Sequence, residues 1–400
     1  MNVGWRLKTI MICAKVTLLS ALKLKKWPGL WNRSVAASLM GGIYRLILVL
    51  FVGLCMQSEA LVAPGVLADQ PLNRLLPTLP KKVSSKLREA IGKKDIGACV
   101  YRPRSQKPDQ VYHIKCSSKE RGLRLFGRTA YANKRGVYRA SLAGALGFGP
   151  EISIDDPEAG FLIWPWLEGE TLSIPLSDQD LESLTKLLKK VHAVPADQRL
   201  YPRVTRIEDR VVRRIDELQK IKSTVVDLKA LRRSVKLVVE NLQPEPMVMI
   251  HGDLQQSHVL QTARGIKLID WGDSSTGDAF DDLAAVSVFF ALSPAQDQKM
   301  LDVYFEGRVT CREHQQLFMK KLLVVLHYSL WQLRQAEKGR GLLNQTRIDM
   351  TAKTLAEWLT RNGANSHFSG NPALSRHVAM MGLEFYFKGV ASKNYKVQCQ

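Results

Sequence analysis

Residues 250–258 read Ile-His-Gly-Asp-Leu-Gln-Gln-Ser-His, and residues 268–271 read Leu-Ile-Asp-Trp. Asp253 lies where an apolar run ends and a polar loop begins. Two further short apolar runs follow, separated by a turn that contains Gly265, and this pattern predicts a β-hairpin. Because a hairpin brings its two ends together, Asp270 is expected to return beside Asp253 and His258.

Two carboxylates and a metal-capable imidazole would then lie together at one end of the hairpin, an arrangement that suits phosphoryl transfer. In that reaction one carboxylate orients and deprotonates a hydroxyl, and the other groups hold Mg²⁺ on the phosphates. A third acidic motif follows, since residues 277–284 read Gly-Asp-Ala-Phe-Asp-Asp-Leu-Ala and lead into an apolar run with helical character. Each motif alone is short, but their order and spacing together are specific.

In that order and spacing, residues 247–287 resemble the aminoglycoside phosphotransferase and choline kinase-like superfamily, a branch of the protein-kinase-like fold. The resemblance extends over about residues 95–360. It implies an α+β, two-lobed protein-kinase-like fold, with a small antiparallel-sheet N-lobe and a mostly helical C-lobe. Here an N-terminal hydrophobic segment precedes the two lobes.

The same resemblance implies roles for four residues. Asp253 would be the catalytic base, His258 and Asp270 would be metal ligands, and Asp282 would be a structural aspartate that braces the catalytic loop. His258 is a departure, because the superfamily usually has asparagine there. An amide oxygen suits Mg²⁺, whereas imidazole is softer and suits Mn²⁺ or Zn²⁺, so the expected cofactors are ATP with Mg²⁺ or Mn²⁺.

A nucleotide site also needs a cation on the phosphates. Arg124 and Lys115 stand on adjacent predicted strands, and the position just before a helix favours Arg124 by resemblance. Trp164 ends a buried strand, and Trp166 lies in a segment that resembles the hinge between the lobes, so both are expected beside the adenine. The superfamily's helix after this strand usually supplies a glutamate to pair with the cation. The helix predicted after Arg124 has no acidic residue, which is a second departure.

The function that these motifs imply is transfer of the ATP γ-phosphate to a hydroxyl of a small molecule. An amino alcohol, a thiamine-like alcohol, a sugar or an antibiotic would each fit as acceptor. The alternative is a membrane-associated pseudokinase that acts as a binding or scaffold module. A nucleic-acid partner is not expected, because no motif of interleaved basic and aromatic residues is present.

Composition divides the chain into five predicted segments. These are a basic N-terminus with a membrane- or signal-like segment (1–62), a Pro- and Lys-containing linker (63–90), the N-lobe (91–165), the C-lobe (166–365) and a C-terminal extension (366–400). The formal net charge is +21, of which the first 60 residues contribute +7. A charge of this sign favours anionic partners such as nucleotides or an anionic membrane surface.

The N-terminus allows two interpretations. Residues 35–56 are largely apolar and could anchor the chain, which would place the kinase on the cytoplasmic side of a membrane. A signal peptide cleaved after 58–60 is the other interpretation, with residues 1–39 as an over-extended start. The six cysteines are scattered without a Cys-x-x-Cys pair, so reduced thiols are expected.

Overall fold

The computed structural model describes residues 69–92, 96–103, 110–126, 130–195, 204–339, 353–362 and 372–392. They belong to a compact unit spanning 66–400. This unit has two lobes. The N-lobe is built on an antiparallel sheet and the C-lobe is mostly helical, which confirms the predicted fold class. No helix in the described ranges is long and apolar enough to cross a membrane. The apolar segment 35–56 lies outside those ranges.

The N-lobe is built on a six-stranded antiparallel sheet, with strand order β1-β2-β3-β4-β6-β5. Its elements, in chain order, are β1 (Gln70–Pro71), α1 (Leu72–Leu75), α2 (Lys81–Ile91), β2 (Val100–Pro103), β3 (Gln110–Lys115), β4 (Glu120–Leu125), α3 (Ala130–Ala145), β5 (Ile154–Asp156) and β6 (Phe161–Pro165). Strands β2, β3 and β4 form a meander, as the alternating pattern of the sequence predicts.

Residues 69–90 of the segment predicted to be a linker are instead part of the N-lobe. Residues 70–90 form β1, α1 and most of α2, and their apolar side chains cover one face of the sheet. Leu72 and Leu87, for example, are fully buried together with Ile114 and Phe161 of the strands. The Pro and Lys residues that suggested a linker lie at helix starts and on the outer surface, so they do not interrupt this packing.

A disulfide joins Cys99 and Cys116, which corrects the expectation of reduced thiols. Cys99 directly precedes β2 and Cys116 directly follows β3. They become neighbours because Val100 lies opposite Lys115 in the strand pair. Cys311 is also disulfide-bonded. Scattered positions in the sequence therefore do not imply unpaired thiols, since strand register decides which cysteines meet.

We expect the double variant Cys99→Ser/Cys116→Ser to lower the free energy of unfolding by about 3 kcal/mol, because a cross-link closing a loop of this length restricts the unfolded chain by about that amount. Urea unfolding of the variant and of the wild type without reductant would measure the difference. Alkylation of the unfolded wild type without reductant is the control. Two free thiols at these positions would contradict the cross-link.

The C-lobe combines two small sheets with eight helices that the structure describes. The strands are β7 (Glu170–Thr171), β8 (Met247–Ile250), β9 (Val259–Thr262), β10 (Gly265–Leu268) and β11 (Ser275–Asp278). The helices are α4 (Asp178–His192), α5 (Ile207–Lys220), α6 (Leu228–Val239), α7 (Ala279–Phe289), α8 (Pro294–Phe305), α9 (Cys311–Glu337), α10 (Leu355–Asn362) and α11 (Pro372–Ser392). The predicted hairpin is β9–β10, with Thr262 opposite Gly265.

The predicted C-terminal extension also packs into the C-lobe. Helix α11 places Ala379, Leu383 and Tyr386 in the same apolar core as α9. Helix α7 is buried around most of its circumference, as expected for a central helix. The first turn of α7 is the part of this core that reaches the candidate site.

A buried ion cluster fixes that first turn. The ammonium of Lys320 on α9, whose side chain is 1% exposed, lies 2.8 Å from Asp281, 2.9 Å from Asp278 and 3.2 Å from Glu208 on α5. Burial raises the pKa of the Asp281 carboxyl to about 7, although Lys320 opposes the shift. The cluster joins α5, α7 and α9, and so it holds the elements that surround the loop of Asp253.

Candidate active site

The loop that carries Asp253 is held from behind by Asp282. The fully buried Asp282 carboxylate accepts hydrogen bonds from the backbone nitrogens of His251 (2.7 Å) and Gly252 (2.9 Å). His192 Nε2 lies 3.2 Å from the same carboxylate. Burial alone would raise the pKa of Asp282, but the hydrogen bond from His192 and the nearby imidazoles hold it below its ordinary value. The brace is therefore a charged group, and charged acceptors make the stronger hydrogen bonds.

Glycine is required at position 252 for two reasons. Its backbone has φ +78°, which L side chains rarely adopt. A Cβ atom there would also lie 2.8 Å from the carbonyl oxygen of Asp273. The tight turn at Gly252 lets the next residue, Asp253, project from the end of β8 into the site.

His251 connects the loop of Asp253 to the segment that precedes Asp270. Its Nε2 donates to the carbonyl oxygen of Ile269 at 2.9 Å, and its Nδ1 accepts from the backbone nitrogen of Asp253 at 3.3 Å. Burial lowers the pKa of the His251 imidazole. A neutral ring with one donor and one acceptor nitrogen satisfies both contacts.

The structure brings His258 and Asp270 together beside Asp253. His258 Nδ1 lies 2.7 Å from the backbone carbonyl oxygen of Asp253, so this nitrogen is the donor. Its other nitrogen, Nε2, then carries the lone pair and lies 3.9 Å from Asp270 Oδ2. Such a fixed tautomer is how proteins prepare a histidine to bind a metal.

Arg124 makes an ion pair with Asp270, with Nη1 2.6 Å from Oδ1. Burial would raise the pKa of the Asp270 carboxyl, but the adjacent Arg124 guanidinium holds it well below its ordinary range. Asp270 itself has a left-handed backbone, with φ 62°. Its two oxygens thus face different groups, Oδ1 toward Arg124 and Oδ2 toward His258.

Lys115 lies on the same sheet face as Arg124 but away from this site. Cross-strand pairs place Val111 opposite Arg124 and Lys115 opposite Glu120, four residues further along the strands. Lys115 is 62% exposed and forms an ion pair with Glu120 at 2.9 Å. Of the two candidate cations, Arg124 is therefore the one that reaches Asp270.

Trp164 and Trp166 lie on the sheet face that carries Arg124. Trp164 packs over Gly122, where a Cβ atom would lie 2.1 Å from the indole. Trp166 stacks on the His113 ring, with centroids 3.8 Å apart and an interplanar angle of 13°. His113 thus covers one face of the Trp166 indole, so a stacked base would have to use the other face or replace His113.

Helix α3 compensates for its lack of acidic residues in another way. It contributes Arg139, whose Nη1 donates to the carbonyl oxygen of Gly272 at 3.1 Å. Gly272 follows Asp270 closely, so α3 positions the loop of Asp270 through the main chain. The cation Arg124 is instead paired by Asp270 itself.

Three further residues contact the candidate site and were not among the predicted ones. Arg210 of α5 donates to the carbonyl oxygens of Gly252 (2.7 Å) and Asp273 (3.3 Å), and so bridges the two loops. Gln255 and Tyr328 both donate to Asp253 Oδ1. Arg206, Arg210, Arg213 and Arg214 form a basic stripe in the sequence. Charge alone, however, does not distinguish a residue that contacts the site from one on a solvated surface. Tyr328, far along the chain on α9, has no local sequence signal.

The chemistry of these residues fits a divalent cation. Asp270 Oδ2 and His258 Nε2 are close enough for one ion to contact both. Within the described ranges, no cluster of three or more His, Cys, Asp or Glu side chains forms a closed metal site. Nucleotide phosphates and water would supply the remaining ligands, as is usual for Mg²⁺ bound with a nucleotide.

Comparison with known proteins identifies the class. Residues 124–314, which include Arg124 and every candidate residue of the catalytic and metal loops, match the phosphotransferase enzyme family (APH). This match agrees with the resemblance to the aminoglycoside phosphotransferase and choline kinase-like superfamily that the motifs carry. The protein is accordingly a phosphotransferase with an alcohol group as acceptor. No curated protein sequence matches the chain.

Solved structures share the fold at low sequence identity. Choline kinase LicA from Streptococcus pneumoniae is 17% identical, with a TM-score of 0.55 over 77% of this chain and 98% of that one. An ethanolamine kinase from Plasmodium vivax is 13% identical, with a TM-score of 0.55 over 77% and 87%. A choline/ethanolamine kinase family protein from Mesorhizobium loti is 17% identical, with a TM-score of 0.53 over 80% and 99%.

Proposed function

We propose that this small-molecule kinase transfers the γ-phosphoryl group of ATP to a hydroxyl of its acceptor. The observation that carries the proposal is the convergence of Asp253, His258 and Asp270 at one mouth, with Arg124 beside them. Phosphoryl transfer depends on positioning and on stabilising charge, and this set supplies a base, two metal ligands and a cation.

In the proposed reaction, the oxygen of the acceptor hydroxyl attacks the γ-phosphorus of ATP and ADP leaves. Asp253 accepts the proton that this hydroxyl loses. A divalent cation, when bound, neutralises charge on the phosphates. Asp270 Oδ2 and His258 Nε2 would hold that cation. Since Arg124 contacts the other oxygen of Asp270, it can stay beside the phosphates while the cation is bound. Trp164 and Trp166 would lie at the adenine.

We propose an amino alcohol as the first acceptor class to test. The support is that similar structures include choline and ethanolamine kinases, and one of these, LicA, has been solved with AMP. A thiamine-like alcohol, a sugar or an antibiotic forms the rest of the screen. Incubation of the protein with ATP and each compound, followed by mass spectrometry, would detect the added phosphate.

The second candidate function is a pseudokinase that acts as a scaffold. It is favoured by the departure at helix α3, which carries no acidic residue, so the usual partner of the phosphate-binding cation is missing. A thermal-unfolding series with ATP and Mg²⁺, Mn²⁺ or a chelator separates the two functions. Because a ligand that binds the native state stabilises it, no shift with either metal would favour the scaffold.

Replacement of His258 by asparagine tests the imidazole ligand. If His258 binds the cation, the wild type should be at least as active with Mn²⁺ as with Mg²⁺, and His258→Asn should shift the preference toward Mg²⁺ by roughly tenfold, the lower end of what changes in metal ligation cause. The ratio of kcat/KM in the two metals is the measurement. His314→Asn, on the first turn of α9, is the matched control. An unchanged ratio in His258→Asn would remove the imidazole from the metal site.

The location of the chain is a separate proposal. ATP-dependent chemistry favours the cytoplasmic side of a membrane, with residues 35–56 as an anchor and the basic charge facing an anionic surface. The Cys99–Cys116 disulfide favours an oxidising compartment instead, which suits the signal-peptide interpretation. Sequencing the N-terminus of the mature protein would decide, since cleavage would leave a start near residue 61.

A further inference from the structure

Two side chains from different parts of the chain converge on one oxygen of Asp253. The hydroxyl of Tyr328 donates to Oδ1, and Gln255 Nε2 donates to the same oxygen at 2.8 Å. The other oxygen, Oδ2, lies 3.5 Å from His258 Nδ1. That nitrogen already donates to the backbone carbonyl of Asp253 at 2.7 Å. Oδ2 is therefore the oxygen that remains to accept a proton from a substrate.

The position of Tyr328 is itself fixed by packing. Its ring meets the ring of Phe289 edge to face, with centroids 4.6 Å apart and an interplanar angle of 90°. Such aromatic pairs have a defined geometry. Tyr328 lies about two turns after Lys320 on α9, and Lys320 is anchored by three carboxylates. The hydroxyl is thus presented to Asp253 from a helix that is held to the rest of the lobe.

Tyr328 can act only as a donor in this contact. Burial and the adjacent Asp253 carboxylate hold the pKa of the Tyr328 hydroxyl well above its ordinary value. The hydroxyl keeps its proton throughout the working pH range, and an ionised carboxylate can only accept. The Tyr328 hydroxyl is therefore always the donor, and the Asp253 carboxylate the acceptor, while Asp253 is charged.

We propose that Tyr328 is a positioning residue for phosphoryl transfer, which fixes the Asp253 carboxylate so that Oδ2 faces the acceptor hydroxyl. This rests on the proposed function. The terminal torsion of an aspartate is broad and roughly two-fold, so the backbone of the catalytic loop does not orient the carboxylate by itself. Catalysis by a general base depends strongly on that orientation. Gln255 of the loop gives Oδ1 one donor, and Tyr328 adds a second donor from a helix outside the loop.

The test is Tyr328→Phe, which removes one oxygen and keeps the ring against Phe289. Loss of one hydrogen bond to a charged group should lower kcat by roughly tenfold, with the KM for ATP and the Tm close to those of the wild type. Tyr386→Phe is the matched control, since Tyr386 is fully buried away from the site and its hydroxyl contacts Ser234. Its kcat should stay within about twofold of the wild type.

A double-mutant cycle distinguishes positioning from a structural role. If Tyr328 acts through Asp253, the change Tyr328→Phe should cost nothing further in an Asp253→Asn background, because coupled residues are non-additive. A tenfold loss in both backgrounds would overturn the proposal, and so would wild-type kcat in Tyr328→Phe when Asp253→Asn is inactive. In that second case the proposed function stands. If Asp253→Asn retains full turnover, the proposed function fails, and this inference fails with it.

Discussion

Replacing Asp253 by asparagine is expected to cut turnover by roughly 10²–10⁴-fold, the usual contribution of a general base. The fold and ATP binding should stay nearly intact. Asparagine has the shape of aspartate, and its amide oxygen can still accept from Tyr328 and Gln255 at the position of Oδ1. What it loses is the ability to take a proton from the acceptor hydroxyl.

The measurement for Asp253→Asn is ADP formation in the presence of an acceptor, together with ATP affinity by calorimetry and the Tm. Asp216→Asn is the matched control, because Asp216 undergoes the same charge change on an exposed helix surface where it pairs with Arg232. Turnover within a few-fold of the wild type would remove Asp253 from the mechanism. A large fall in Tm would instead indicate damage to the loop.

Replacing Asp270 by alanine should abolish the metal-dependent part of nucleotide binding. Mg²⁺ or Mn²⁺ would then change ATP affinity by less than about twofold, because the hard anionic ligand is gone. Arg124 loses its ion-pair partner in this variant, but it can still contact the phosphates. ATP binding in the presence of a chelator should therefore be retained or strengthened.

Calorimetry of ATP binding with Mg²⁺, with Mn²⁺ and with a chelator measures each part of this prediction. Turnover should also fall by at least ~10²-fold, since a bound metal supplies several kcal/mol of charge stabilisation in the transition state. Asp216→Asn again serves as the control. If Asp270→Ala keeps the full affinity gain from either metal, His258 and Asp270 do not form the metal site.

The proximity of Asp253, His258 and Asp270 could be predicted because the three residues are close together in the sequence. Asp253, His258 and Asp270 lie within 18 residues of one another, and a single hairpin with a two-residue turn brings them together. A short connection leaves little conformational choice, so sequence spacing translates directly into distance. The strand meander of the N-lobe could be predicted for the same reason, since its alternating pattern fixes which face each side chain occupies.

Residues 69–90 were wrongly predicted as part of a linker because Pro and Lys outweighed a helical pattern. Val83, Leu87 and Ile91 recur every four residues and are buried on one face of α2. That spacing could have indicated the helix. A helix of this length depends on packing against a core for its stability. The sheet face that α2 packs against is formed by strands later in the chain, so the local sequence did not reveal it.

The class of fold and the proximity of the Asp253 loop to the loop of Asp270 followed from the sequence, since each depends on residues close together in the chain. The contacts between distant elements followed only from how the helices and strands pack. Strand register places Arg124, and not Lys115, beside Asp270. Helix packing brings Arg210 to the carbonyl oxygens of Gly252 and Asp273. It also brings Tyr328 to Asp253, which lies 75 residues earlier in the chain. Helix packing fixes such contacts, and packing depends on side-chain volumes summed over the whole core. No local pattern in the chain records that sum.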